Sequence, residues 1–126
     1  MDWRNPPSTE VSFVLDDIAS VTLSTALSGV AAQQRATANN IANIETPNFK
    51  ATQIDFADSL RQAVAAGDPG TAQFTSSAVG GAVSANGNDV SLDDQTVAAE
   101  KEQMQYSLLS QAITSKYGLI ESVLKG

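Results

Sequence analysis

The side chains that most often do chemistry in proteins are largely missing from this chain. Its 126 residues include no histidine and no cysteine, so the usual general bases, thiol nucleophiles and soft metal ligands are absent. Three carboxylate pairs remain as candidates for acid–base work: Asp16/Asp17, Asp55/Asp58 and Asp93/Asp94. The first and last pairs stand where helices are predicted to begin, and acidic residues there complement the helix dipole. The middle pair has no identifiable partner, so we expect no enzyme activity.

Two glycine-containing segments carry residue types found in ligand sites, and neither fits a known pattern. Residues 86–89 with Asp93 offer oxygen ligands, but their spacing departs from the calcium loop D-x-[DN]-x-[DN]-G-x5-E. The Gly80-Gly81 pair lacks the Lys-Ser and the strand–helix frame of a phosphate loop. We therefore predict no catalytic residue, no metal site and no cofactor.

Charge and length exclude further classes. A formal net charge of −7 argues against nucleic-acid binding, which needs a basic surface, and against docking on anionic lipid. No window approaches 18 apolar residues, so no membrane insertion is predicted. Residues 1–7 lack the basic start of a cleavable signal peptide, and the apolar run Phe13-Val14-Leu15 is too short for its core.

The first half of the chain predicts a mobile arm over residues 1–15, followed over 16–66 by a helix, a strap and a short helix. The first helix begins near Asp16 and carries an a/d pattern of mostly apolar residues, which are Leu23, Leu27, Val30, Gln34, Thr37, Ile41 and Ile44. An asparagine-rich stretch ends it, because Asn competes with helix hydrogen bonds and tolerates the left-handed conformation. Pro47 has no N–H and disfavours a helical Thr46, so an extended strap carrying Phe49 and Lys50 should follow.

The short helix is predicted from Gln53 to about Ala66. A flexible linker over residues 67–91 and a C-terminal helix over 92–126 should follow it. The linker is rich in Gly, Ser and Ala, which predicts flexibility. A short strand around residues 72–76 is the alternative within it. The helical pattern of the C-terminal segment runs from about Asp94 to Val123. The two long helices have similar lengths of about 40 Å, so we predict an all-α fold in which they pack antiparallel in a coiled-coil-like pair.

Three segments resemble the axial proteins of the bacterial flagellum. Residues 38–51 read A-N-N-I-A-N-I-E-T-P-N-F-K-A, which is similar to that family's signature A-N-N-I-A-N-x-x-T-P-G-[YF]-K. Residues 54–60 resemble the I-D-F-x-x-x-L, and residues 87–93 the G-N-x-V-x-L-D, of the proximal rod subunit of the FlgB type. The chain departs from the family where Asn48 replaces the usual Gly, and where Ala99 and Glu102 replace a frequent Met and Asn.

The resemblance implies a structural subunit of the proximal rod of the flagellar basal body, which self-assembles helically through its terminal helices and transmits motor torque. It also implies that the chain is exported to the periplasmic space by the flagellar type III apparatus, without a cleaved signal peptide. Its implied partners are other rod subunits and the protein joining the rod to the membrane ring. The alternative is a soluble acidic helical adaptor or chaperone-like module, which has no evident need for the strap.

The predicted assembly interface consists of positions on both helices and the strap, most of them apolar. They are Leu23, Leu27, Val30, Ile41, Asn43, Thr46, Pro47, Phe49, Met104, Leu108, Ile113, Tyr117 and Ile120. A small intramolecular core is the other explanation for the helical positions, and plain core packing for Phe49. If Leu27 and Val30 serve only assembly, an Asp at either position should leave the monomer folded.

Overall fold

The computed structural model describes the backbone of residues 8–125 and the side chains of residues 17–118 and 122. Its elements, in chain order, are α1 (Ser8–Ala42), β1 (Thr52–Asp55), α2 (Ala57–Ala65), a short 3-10 turn (Pro69–Thr71), β2 (Thr75–Ala78) and α3 (Leu92–Lys125). The predicted helical character is therefore right, and a small two-stranded sheet is added to it. None of the described helices is long and apolar enough to cross a membrane.

Helix α1 begins at Ser8, eight residues before the predicted start at Asp16. Ser8 and Thr9 belong to the residue types that open helices, and Glu10 brings a negative charge to the positive end of the helix dipole. The predicted arm is consequently too long, because its residues 8–15 are helical. The remainder of the predicted arm lies outside the described residues.

Helices α1 and α3 lie side by side and run in opposite directions. Thr37 hydrogen-bonds Glu102, and Asn40 hydrogen-bonds Gln95. Further along the two helices, one small cavity is lined both by Leu23 of α1 and by residues 113, 116 and 117 of α3. Residue numbers thus fall along α1 as they rise along α3.

The buried side chains of the described residues are more often polar than apolar. The buried apolar ones are Val30, Ala51, Ala63 and Pro69, whereas the buried polar ones are Thr37, Asn40, Asn88, Asp89, Gln95 and Glu102. Buried polar groups stabilise a fold only when they are hydrogen-bonded. The packing of this small chain therefore depends on specific side-chain hydrogen bonds as well as on apolar contact.

Strand β1 occupies the start of the helix that was predicted from Gln53. Residues Thr52–Asp55 pair antiparallel with Thr75–Ala78, with Thr52 opposite Ala78, and only Ala57–Ala65 forms helix α2. Thr52 and Ile54 are β-branched and suit a strand. The pairing with β2 and with side chains of α1 outweighs the local helical pattern.

The predicted linker contains regular structure, since the 3-10 turn and β2 both fall within residues 67–91. The strand spans residues 75–78, so it overlaps the range 72–76 suggested by the sequence and starts three residues later. The flexibility of this segment stays a prediction.

Gly29 provides the space on α1 for the ring of Phe56, the residue that precedes α2. A Cβ atom at this position would lie 2.6 Å from the ring of Phe56, so no larger residue fits without displacing that ring. Phe56 in turn meets Phe74 edge to face, with ring centroids 5.8 Å apart, a favourable aromatic geometry. A glycine that is unfavourable for the helix itself is thus explained by tertiary packing.

Candidate functional site: the strap and its clasp

The strap, defined here as residues 43–51, starts with a series of turns at the end of α1. Asn43 closes the helix by donating its side-chain Nδ2 to the carbonyl of Asn39 at 2.8 Å. Further turns follow as Thr46 N donates to Asn43 O and Phe49 N to Thr46 O. The asparagine-rich helix stop is therefore present, but the predicted extended course holds at most from Phe49 to the start of β1 at Thr52.

A second segment, residues 84–90, holds the strap and is called the clasp here. Its first contact joins two turn apices with positive φ, which are Asn48 at 62° and Gly87 at 83°. The main-chain N–H of Asn48 donates to the carbonyl of Asn86 at 3.0 Å. Asn is among the few non-glycine residues that enter the left-handed region readily, which explains why it can replace Gly at this position.

Asn88 binds two carbonyls in the turns that follow α1. Its Nδ2 donates to the carbonyls of Asn43 and Thr46, both at 2.8 Å, and its Oδ1 accepts from Val90 N at 2.8 Å. One buried amide therefore joins the turns after α1 to the clasp.

Asp89 and Lys50 complete the clasp. The Oδ1 atom of Asp89 accepts the main-chain N–H of Ala51 at 2.6 Å, and the N–H of Asp89 donates to Phe49 O at 3.2 Å. The Lys50 ammonium donates to the carbonyl of Gly87. Strap and clasp are thus linked in both directions, although about 40 residues separate them in the chain.

Asn40 connects the strap region to both long helices. Its Nδ2 donates to Thr52 O at 2.8 Å, and its Oδ1 accepts Thr52 N at 3.1 Å, so the amide pairs with β1 as a neighbouring strand would. The same Nδ2 donates to Gln95 Oε1 at 3.0 Å. Gln33 adds a further bond to β1 through the carbonyl of Ile54. One edge of β1 is therefore held by side chains of α1.

Glu102 is a buried carboxyl group between the helices. Its Oε1 accepts the Thr37 hydroxyl at 2.8 Å, while its Oε2 is buried and has no hydrogen-bond partner among the described residues. Burial raises the pKa of this carboxyl, against smaller lowering effects of the Thr37 hydrogen bond and the Lys101 charge. Glu102 replaces an Asn that is frequent at this position in the resembling proteins, and it places a proton-binding group inside the pair.

The predicted interface residues divide into two groups by exposure. Val30 is buried, and six others are half-buried within the chain: Leu23, Leu27, Ile41, Asn43, Phe49 and Ile113. Thr46, Pro47, Met104, Leu108 and Tyr117 are exposed. The side chain of Ile120 lies outside the described residues. Packing within the chain thus covers part of the predicted assembly interface.

Sequence reasoning missed the polar residues that hold strap and clasp together. Asn40, Asn88, Asp89 and Gln95 were not among the predicted site residues, because the Asn run was interpreted only as a helix stop. The available signal was the presence of hydrogen-bonding side chains in both motif segments. No three acidic side chains of the described part lie close enough together to hold a metal ion.

Comparison with known proteins agrees with the position of this site. The sequence model of the family described as "Flagella basal body rod protein" matches residues 22–50, which include the second half of α1 and nearly all of the strap. The "Flagellar basal body rod protein FlgB" of Bacillus subtilis (strain 168) is 29% identical over 129 aligned positions, covering 82% of this chain and 91% of that protein. Both matches support a flagellar basal body rod protein of the FlgB type.

Proposed function

We propose that this structural rod subunit assembles side by side with its neighbours through the outer faces of α1 and α3. The observation that carries the proposal is a row of exposed apolar side chains on α3. Val97 and Met104 are each 64% exposed and Leu108 is 59% exposed. Their spacings of seven and four residues place them on one face of the helix. This row is called the α3 stripe below.

The α3 stripe lies on a different face from the residues that meet α1. Gln95, Glu102 and Ile113 contact or face α1, and at 100° per residue they stand more than 90° around the helix from the stripe. The stripe is therefore available to another molecule. Exposed apolar rows of this kind mark protein contact surfaces when they are contiguous.

The exposed face of α1 offers a surface of complementary shape. Its exposed residues at helical spacing are mostly small, namely Ser24, Ser28, Ala38 and Ala42, with the charged Asp17 and Arg35 on the same face. Small side chains let another helix approach closely. The α3 stripe of one copy lies against this small-residue face of the next copy. Because the two surfaces differ, the contact is heterologous and propagates as a helical array.

The clasp gives this subunit the stiffness that a torque-transmitting rod needs. Asn40, Asn88 and Asp89 tie the end of α1 to β1 and the segment leading into α3. Terminal segments order as they pack in the rod, and the coiled-coil-like helix pair is the unit that repeats. The family match supports this role and favours it over the soluble adaptor considered from the sequence.

Further partners and the route to the rod follow from the family resemblance. We place this subunit in the proximal rod, in the periplasmic space, beside other rod subunits and the protein that joins the rod to the membrane ring. Passage through the type III export apparatus without a cleaved signal peptide belongs to the same proposal. N-terminal peptide mapping of chain isolated from basal bodies tests the export route, since it would reveal a cleaved leader.

Leu108→Asp tests the assembly surface. An unpaired carboxylate in an apolar contact costs several kcal/mol, and each subunit of the rod repeats that cost. We expect the purified variant to keep the helical circular dichroism of the natural chain, while cells that carry it lack a complete rod and do not swim.

Gln103→Asp is the matched control, because it introduces the same charge on an exposed position of α3 outside the stripe. It should leave the rod and swimming unchanged. Normal swimming with Leu108→Asp, or equal loss with both variants, would remove the α3 stripe from the assembly interface.

A further inference from the structure

We propose that Asn86 is a site of spontaneous covalent modification in the folded chain. In this reaction the main-chain nitrogen of Gly87 attacks the side-chain amide carbon of Asn86 and forms a succinimide. Water then opens the ring to an aspartate or an isoaspartate. The inference is independent of the assembly surface, since it rests on the local geometry of the clasp.

The amide of Asn86 is held by two hydrogen-bond donors on its oxygen. Oδ1 accepts the Ser84 hydroxyl at 2.6 Å, a donor that it shares with Asn88 O at 2.9 Å, and it accepts the main-chain N–H of Asn88 at 3.1 Å. Both donors polarise the carbonyl and stabilise the negative charge that develops on this oxygen during attack, as donors in an oxyanion hole do. The bond to Asn88 N also folds the side chain over the intervening peptide, so the amide carbon and Gly87 N stay near each other.

The main-chain nitrogen of Gly87 is the nucleophile, and no side chain of its own residue shields it. Gly87 carries no side chain, and its φ of +83° disfavours any other residue type. Its N–H donates to Ser84 O at 2.9 Å, and this bond must open before the nitrogen can attack. The clasp therefore contains the electrophile, the nucleophile and the oxygen-binding donors within five consecutive residues.

The other asparagines of the described part lack this combination. Asn40 and Asn88 are buried, and their amide nitrogens are held by two acceptors each. Asn39, Asn43 and Asn48 are each followed by a residue with a large side chain, which hinders the approach of the next main-chain nitrogen. Modification should consequently be confined to Asn86.

The reaction balances without an oxidant or a cofactor. A bond forms between Gly87 N and Cγ of Asn86 as the bond from Cγ to Nδ2 breaks, and the Gly87 proton leaves with Nδ2 as ammonia. One water is then added across the imide. Opening at one carbonyl leaves the normal main chain with an aspartate, and opening at the other routes the main chain through the side-chain carbon.

Modification of Asn86 alters the clasp, because the modified peptide lies between two carbonyls that accept hydrogen bonds from the strap. Asn86 O accepts from Asn48 N, and Gly87 O accepts from the Lys50 ammonium. In an isoaspartate the original carbonyl of residue 86 becomes a free carboxylate, and the main chain between the Cα atoms of residues 86 and 87 gains one carbon, so the two acceptors cannot both keep their present positions. Either product also adds a negative charge. Modification therefore loosens the strap irreversibly.

Peptide mapping by mass spectrometry tests the proposal on the purified full-length chain, incubated at mildly alkaline pH. We expect amide-to-acid conversion at Asn86 and at no other described asparagine, with isoaspartate identified from its main-chain fragments. Conversion should be faster in the folded chain than in the same chain unfolded in urea. Conversion that is equal or slower in the folded chain would overturn the proposal.

Two variants separate the role of the hydroxyl donor from a general loosening of the clasp. Ser84→Ala removes one donor to Oδ1 and should slow conversion about tenfold, a modest value for the loss of an oxyanion donor. Ser84→Thr keeps the hydroxyl and should convert at nearly the natural rate. Equal rates in the natural chain and in Ser84→Ala would refute the role of the donor, and equal slowing by both variants would assign the effect to the loop conformation instead.

Discussion

Gly87 lies directly against Asn48, so that a Cβ atom on the glycine would stand 2.2 Å from Oδ1 and 3.3 Å from Cα of the asparagine. Both residues have positive φ. The strap and the clasp thus meet through two left-handed turns in close contact. A side chain at position 87 would have to displace the strap.

Gly87→Ala should destabilise the chain by roughly 2–4 kcal/mol, because it adds a steric clash to the strain of a positive φ. Gly67→Ala is the matched control, since Gly67 has a φ of +80° and nothing within 4 Å of the added Cβ. That control should cost about 1 kcal/mol. Urea unfolding measures both, and equal costs would show that the contact with Asn48 does not constrain the clasp.

Glu102→Gln should reduce the dependence of stability on pH. Burial raises the folded-state pKa of Glu102 above its usual value of 4.5, so the folded state binds the proton more tightly than the unfolded chain. The contribution of the protonated Glu102 carboxyl to the free energy of unfolding is complete below the usual carboxyl pKa. It is lost as the pH rises through the folded-state pKa. At neutral pH, removing the charge should therefore stabilise the chain by about 1 kcal/mol.

Urea midpoints measured between acidic and neutral pH check this expectation. Glu100→Gln is the control, because residue 100 is exposed on the same helix and should leave the pH profile nearly unchanged. Parallel profiles for the natural chain and Glu102→Gln would mean that the buried carboxyl does not govern the pH response.

Asn40→Ala should cost about 3 kcal/mol, because it leaves the N–H and C=O of Thr52 and the Gln95 amide without their partner. The exposed neighbour provides the control, and Asn39→Ala should cost far less. Urea unfolding gives the free energies, and hydrogen exchange at the Thr52 amide reports the local effect. Unchanged protection of that amide in Asn40→Ala would contradict the role assigned to Asn40.

Val30→Asp should unfold the isolated chain, contrary to the expectation from the sequence that this substitution spares the monomer. Val30 is only 2% exposed, and a carboxylate there loses its hydration without gaining a partner. Ser28→Asp, on the exposed side of α1, is the control and should keep its helical circular dichroism. A folded, cooperatively unfolding Val30→Asp chain would show that this position does not belong to the core.

The amino-acid sequence by itself determined the features that depend on neighbouring residues. Asn and Pro end α1 by local hydrogen bonding and by the missing N–H of Pro47, and the apolar periodicity indicates two long helices. The same stretch of residues carries the family signature. These effects act within a few residues of the chain, so they can be predicted without knowing what packs against them.

Only the tertiary structure decided which segments meet. The β1 strand forms where a helix was predicted, because its partners are β2 and the side chains of Gln33 and Asn40. Asn88 and Asp89 bind a strap about 40 residues away, and Gly29 is explained by the ring of Phe56. A polar side chain shows in the sequence that it needs a hydrogen-bond partner, but which group provides one depends on how the chain folds back on itself.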